Sequence, residues 1–164
     1  MHPLRLTPLA LLLVLVAAAA GCGGDDDGSG DAEIPGGADP EATQVIEEWS
    51  TALREGDVEG AADYFEVPSL AQNGTPTLRL DSREDVLRFN EALPCGAELV
   101  SAEERGEYVV GTFELTERPG EGECGDGVGE EAKTAFRIED GLITEWIRAA
   151  EDLQLEPPDD EPVI

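Results

Sequence analysis

Histidine is all but absent from this chain. The only one is His2, inside a segment expected to be removed on export, so the mature protein would carry no imidazole. That excludes Ser-His-Asp and Cys-His catalysis and the usual zinc sites, each of which needs a group that titrates or ligates near neutral pH. Positive charge is also scarce. Ten Lys and Arg stand against 38 Asp and Glu, for a formal net charge of −28. Such a surface repels phosphate backbones and anionic headgroups, so nucleic-acid binding is set aside. Aromatic residues are few as well, two Trp, two Tyr and four Phe in 164 residues. The apolar run of residues 9 to 20 falls short of the roughly 20 residues a comfortable membrane span requires.

What is abundant is acid, and it is spread along the chain. Residues 41 to 150 alone hold 26 acids against nine bases, enough to keep a folded domain solvated. Cation binding or adaptation to high salt is the functional alternative, and composition decides neither.

The N-terminus reads as an address. A short basic start with Arg5 leads into the apolar run and then into small residues, the layout of a secretory signal. Ala19, Ala20, Gly21 and Cys22 resemble the bacterial lipobox, with Ala19 where leucine is usual. The resemblance implies cleavage after residue 21, an acylated Cys22 as the first mature residue, and a lipid-anchored, outward-facing position on the bacterial cell membrane. Several acyl chains on one residue meet the need of stable anchoring for more than one chain.

Residues 22 to 40 then form an acidic, Gly-rich linker with no apolar period, a composition that cannot offset its chain entropy by burial. Asp25, Asp27, Ser29 and Gly30 match the opening of a calcium loop. Position 12, however, falls on Gly36 instead of a bidentate Glu, and no helices flank the stretch. No metal and no cofactor is expected. A second disordered acidic segment is expected at residues 151 to 164.

Between these ends lies the domain, residues 41 to 150. Asp39 as N-cap and Pro40 at the first position open a helix whose face is Val45, Ile46, Trp49, Ala52 and Leu53, stopped by Gly56. Asp57 caps a short second helix with Val58, Ala61, Ala62 and Phe65 inward. Residues 66 to 80, with Pro68, Pro76 and an Asn-Gly pair, read as a loop holding at most a short strand at 77 to 80. Ser82 with Asp85 three residues on opens a third helix, ended by Pro94. Thereafter the apolar period is two, giving strands at 97–104, 107–117, 132–139 and 142–150, with turns at Arg105-Gly106 and Asp140-Gly141. Helices followed by strands indicate an α+β domain with its helices on one face of an antiparallel sheet.

The stretches "VIEEWSTALREGDVEGAADYF" and "FRIEDGLITEWIRA" resemble the two ends of the nuclear transport factor 2-like superfamily, including its SnoaL-like members, over about residues 41 to 150. The resemblance implies a cone-shaped fold in which three N-terminal helices pack on a curved antiparallel sheet and enclose a pocket. Superfamily enzymes use that pocket for acid–base chemistry. Glu66 is the nearest match to the acid commonly found after the second helix, and a base there would need a burial-raised pKa.

With Cys22 acylated, Cys95 and Cys124 remain as a pair. The 105–106 turn sets Cys95 opposite roughly residue 116, so a disulfide would tether the acidic Gly-rich loop to the strand start, worth about 3 to 4 kcal/mol. Trp49, Tyr64, Tyr108 and Trp146 are the large side chains with a polar atom, and core packing is the simpler reading of Trp49. Trp146 alternates with Leu142 and Thr144, which suits a core or a pocket wall. Arg137 and Arg148 lie on strands and could orient an anionic ligand. The ligand contacts singled out are Trp49, Tyr64, Trp146 and Arg137. Three functions fit: a lipid-anchored domain binding a small molecule or an envelope protein without chemistry, a carboxylate-based isomerase, cyclase or hydrolase, and a structural module that forms a homodimer. The missing histidine favours the first and third.

Overall fold

The computed structural model describes residues 34–74, 76–120 and 122–149. The apolar start, Cys22, residues 23 to 33 and the tail from residue 150 lie outside them. Among the described residues no helix is long and apolar enough to cross a membrane.

Helix α1 (Pro40–Glu55) starts where the Asp39 carboxylate accepts the Ala42 N–H at 3.0 Å. Val45, Ile46, Trp49 and Leu53 form its buried face. It stops at Gly56, whose φ of 82° lies in the left-handed region that terminates helices cheaply only with glycine. A Cβ at Gly56 would also stand 3.0 Å from the Pro119 ring. Helix α2 (Val58–Ala62) is capped by Asp57. Helix α3 (Arg83–Glu91) opens with Ser82 and Asp85 in reciprocal contact. The Ser82 hydroxyl donates to the Asp85 carboxylate at 2.6 Å and accepts the Asp85 N–H at 3.2 Å.

The sheet has six strands in the order β2-β1-β6-β5-β4-β3. The four expected strands are β3 (Gly96–Arg105), β4 (Tyr108–Thr116), β5 (Glu131–Glu139) and β6 (Leu142–Ala149). Strand β1 (Phe65–Gln72) corrects the reading of the stretch before residue 77 as a loop, and β2 (Leu78–Leu80) is the short strand expected at 77 to 80. Phe65, expected on the second helix, begins β1. The sheet is therefore mixed, because β1 runs parallel to β6. Pro68 fits this strand because pairing with β6 is irregular between Phe65 and Leu70, while pairing with β2 begins only at Ser69. No ladder hydrogen bond from residue 68 is needed. Irregular pairing also occurs in β3 between Leu99 and Ser101 and in β6 between Ile143 and Glu145. Such bulges bend a strand and wrap the sheet around its inner face.

The core uses nearly all of the chain's scarce aromatics. Trp49 meets Phe65, Phe113, Phe136 and Trp146 edge to face, with centroids 5.5 to 6.4 Å apart. Phe89 joins through Phe65 and Trp146. All four Phe and both Trp of the sequence thus sit in one cluster, each such pair adding about 0.5 to 1.5 kcal/mol beyond its buried area. One polar link runs through it. The Trp49 Nε1–H donates to the Asn90 Oδ1 at 3.0 Å, and the Asn90 Nδ2–H donates to the Val86 carbonyl at 2.9 Å. Asn90 is wholly buried, so this pair of bonds satisfies the polar atoms and fixes α1 against α3.

Residues 34 to 38, within the stretch expected to be linker, are docked on the domain. Ile34 and Ala38 pack on the core, and the Ala102 N–H donates to the Pro35 carbonyl at 2.9 Å. This segment lies along the outer edge of β3, an edge that would otherwise present unpaired backbone. Gly36 allows it: φ is 131°, and a Cβ would fall 1.9 Å from the Ala102 carbonyl oxygen.

Cys95 and Cys124 are joined by a disulfide, with their Cα atoms 4.6 Å apart. Gly96 faces Thr116 in the β3–β4 ladder, so Cys95 sits one residue from the expected register. Arg118 anchors the loop further: buried beneath it, its Nη2 donates to the Glu91 carbonyl at the end of α3 at 3.2 Å. A cation is favoured there by the helix dipole, while burial lowers the guanidinium pKa.

Candidate functional site

A cavity of about 400 Å³ opens between α1 and the inner face of the sheet, within the size range of small-molecule sites. From α1 come Trp49 and Leu53, one helical turn apart on the same face. The sheet contributes Ala97 of β3, Phe113 and Leu115 of β4, Ala132 and Thr134 of β5, and Trp146 and Arg148 of β6. Leu93, Pro94 and Cys95, after α3, and Asn73, after β1, complete the wall. Pairs two apart on a strand line the same face because side chains alternate.

The lining is apolar with a few donors. Thr134 is buried, Asn73 and Arg148 are exposed, and the Trp146 Nε1–H is buried with no acceptor among the described residues. Among the described residues no carboxylate is part of the wall. Arg148 also differs from its neighbours. Arg54, Arg79, Arg83, Arg88, Arg105 and Arg137 each form an ion pair with a carboxylate, whereas Arg148 forms none among the described residues.

Of the ligand contacts picked from the sequence, Trp49 and Trp146 line the cavity and the other two do not. Tyr64 lies in the turn before β1, where its hydroxyl donates to Glu48 at 3.2 Å. Burial, and then the Glu48 carboxylate, raise its pKa. Arg137 projects from the opposite face of β5, beside Glu107, Glu139 and Glu145. These carboxylates, Glu107 foremost, raise its pKa. Next to it the Tyr108 hydroxyl donates to Glu145 at 2.8 Å. Burial first, then the bond to Glu145 and its charge, push Tyr108 up to about 12. The reason for the misplacement of Arg137 is strand parity: Phe136 faces in, so residue 137 faces out.

Glu66 is exposed on β1 and absent from the cavity wall. The expected grouping of Leu142, Thr144 and Trp146 also fails. Ile143 and Trp146 are the buried pair of β6, because Thr144 is an extra residue between Ile143 and Glu145, held by its hydroxyl on the Arg137 carbonyl at 3.2 Å. Phe113, Thr134 and Asn73 were not singled out from sequence. Alternation about Phe136 could have found Thr134; Asn73, past the end of an unexpected strand, carried no signal. Among the described residues no three His, Cys, Asp or Glu side chains converge on a possible metal position.

The disulfide stands at this cavity too. Cys95 is part of the wall, and the short 3₁₀ turn at Gly125–Gly127 after Cys124 packs beside Leu115. The bond thus fixes a loop against one side of the mouth.

No protein-family model matches the chain, and no curated protein does. Solved structures match in fold. A nuclear transport factor 2-like protein of unknown function from Cytophaga hutchinsonii aligns at 14% identity over 65% of this chain and 86% of its own, with a TM-score of 0.50. One from Burkholderia xenovorans aligns at 11% identity over 72% and 88%, TM-score 0.50. A protein from a soil-derived mobile gene cassette aligns at 12% identity over 68% and 90%, TM-score 0.52. At these identities the likeness is one of architecture, and the described domain has the α+β nuclear transport factor 2-like fold.

Proposed function

We propose that this domain binds a small apolar molecule without transforming it, on the outer side of a membrane to which Cys22 anchors the chain. The cavity and its composition carry the reading. Its wall is apolar and aromatic, and among the described residues it lacks the carboxylate that acid–base chemistry without histidine would need. Glu66, the residue best suited to that role by position in the sequence, is exposed on the strand and not part of the wall. A fold shared with enzymes does not supply the missing group. The anchor rests on the lipobox resemblance at residues 19 to 22.

Native mass spectrometry of the full chain recovered from membranes tests both parts. The expected result is a one-to-one small-molecule adduct, released unchanged on denaturation, on a protein that has lost residues 1 to 21 and gained acyl mass on Cys22. A bound compound converted to a new mass on incubation would make the protein an enzyme. An unmodified soluble product would remove the anchor.

A further inference from the structure

Resting on that reading, we infer that the ligand is an apolar carboxylate, its body against Trp49, Leu53 and Phe113 and its carboxylate at the mouth beside Arg148. Charge points there first. In a chain with 38 acids and ten bases, only two arginines, Arg118 and Arg148, lack a carboxylate partner among the described residues. Six of the described arginines are ion-paired and Arg118 is bonded to a helix carbonyl, which leaves Arg148 as the guanidinium without either. It belongs to the one wall position where cation and apolar surface meet.

The second observation is the wall itself. Around Arg148 it is apolar and aromatic, with Trp49, Phe113, Leu115 and Trp146, and apart from Asn73 and Thr134 it offers a ligand little polar surface among the described residues. Trp146 and Arg148 are successive inward positions of β6, about 7 Å apart along the strand, so an apolar body packed on the indole reaches the guanidinium with its charged end. Among the described residues no carboxylate belongs to the wall, so none competes with an anion there. The exposure of Arg148 keeps the ionised head beside water, where its desolvation cost is small. A cationic ligand would be repelled by Arg148, and a neutral one would leave the guanidinium without a counter-charge.

Both tryptophans of the chain border the cavity, so intrinsic emission reports on it directly. Full-length protein is titrated with two acids of different shape, dodecanoate and 1-naphthaleneacetate, and with their neutral counterparts, dodecanol and 1-naphthaleneethanol. Wild type should bind at least one acid about tenfold more tightly than its alcohol, the size of one charge-assisted hydrogen bond net of solvation. Arg148→Gln should bring that acid to the affinity of the alcohol and leave the alcohol unchanged. Equal affinities for acid and alcohol in wild type would overturn the carboxylate assignment while small-molecule binding stood. A preference for the acid that survives Arg148→Gln would overturn the role of Arg148. No response to any of the four would sink the binding reading itself.

Discussion

Truncating Asn90 to alanine should destabilise the domain by about 2 to 4 kcal/mol, and nearly all of that loss can be assigned to specific atoms. The Trp49 Nε1–H, 3.0 Å from Asn90 Oδ1 inside a dry aromatic cluster, would be left without an acceptor, at about 1 to 3 kcal/mol. The remainder is the small void left at a wholly buried position. For a domain of this size about 4 °C is expected per kcal/mol, so the midpoint should fall by roughly 8 to 16 °C. Thermal and urea unfolding followed by circular dichroism would measure it, since Trp49 itself is altered in the companion variant. Trp49→Phe removes the donor, and in that background Asn90→Ala should cost less by about 1 to 2 kcal/mol. Additivity of the two changes within about 0.3 kcal/mol would refute the idea that this hydrogen bond couples α1 to α3, leaving only a packing loss.

Replacing both Cys95 and Cys124 by serine opens a loop of 29 residues' separation and should cost about 3.6 kcal/mol by chain entropy; a urea midpoint unchanged from wild type would contradict it. Tyr108 is pushed up to about 12 by burial and by Glu145. A raised folded pKa favours the neutral phenol, so this stabilisation is complete below pH 10 and is lost as pH climbs through about 12. Spectrophotometric titration should show Tyr108→Phe removing the later of the two tyrosine transitions, and a single transition near 10 in wild type would refute the assignment. Gly36→Ala forces a Cβ onto the Ala102 carbonyl. It should release the docked segment, read as lost exchange protection at the Ala102 amide, which donates to Pro35. Undiminished protection there would show that the segment tolerates a side chain.

Local chemistry made the helices and the four later strands legible. Asp39, Asp57 and Ser82 are caps whose signal lies within three residues of the bond they make, and the Asp140-Gly141 turn lies between two alternating strands. What was hidden depends on partners distant in sequence. Strand β1 contains Pro68, which argues against a strand until the irregular pairing with β6 is known. The inward face of β6 could not be counted from alternation because Thr144 interrupts it. Site residues followed the same divide. Trp49 lies on a helix whose face is readable, whereas the choice of Arg137 over Arg148 is reversed by strand parity. Cys95 was identified as a staple, and only the fold shows that it also forms part of the cavity wall.

The extra residue at Thr144 has a consequence for how the cavity wall tolerates change. Ile143 and Trp146 both face inward with two residues between them, because Thr144 stands outside the ladder while Glu145 pairs with Arg137. Deleting Thr144 would leave one residue between them and restore ordinary alternation, so Trp146 and Arg148 would keep the inward face opposite Phe136 and Thr134. Deleting a residue further along β6 would instead exchange the faces of those beyond it. Loss at position 144 would therefore alter the bend of the sheet and spare the chemistry of the wall.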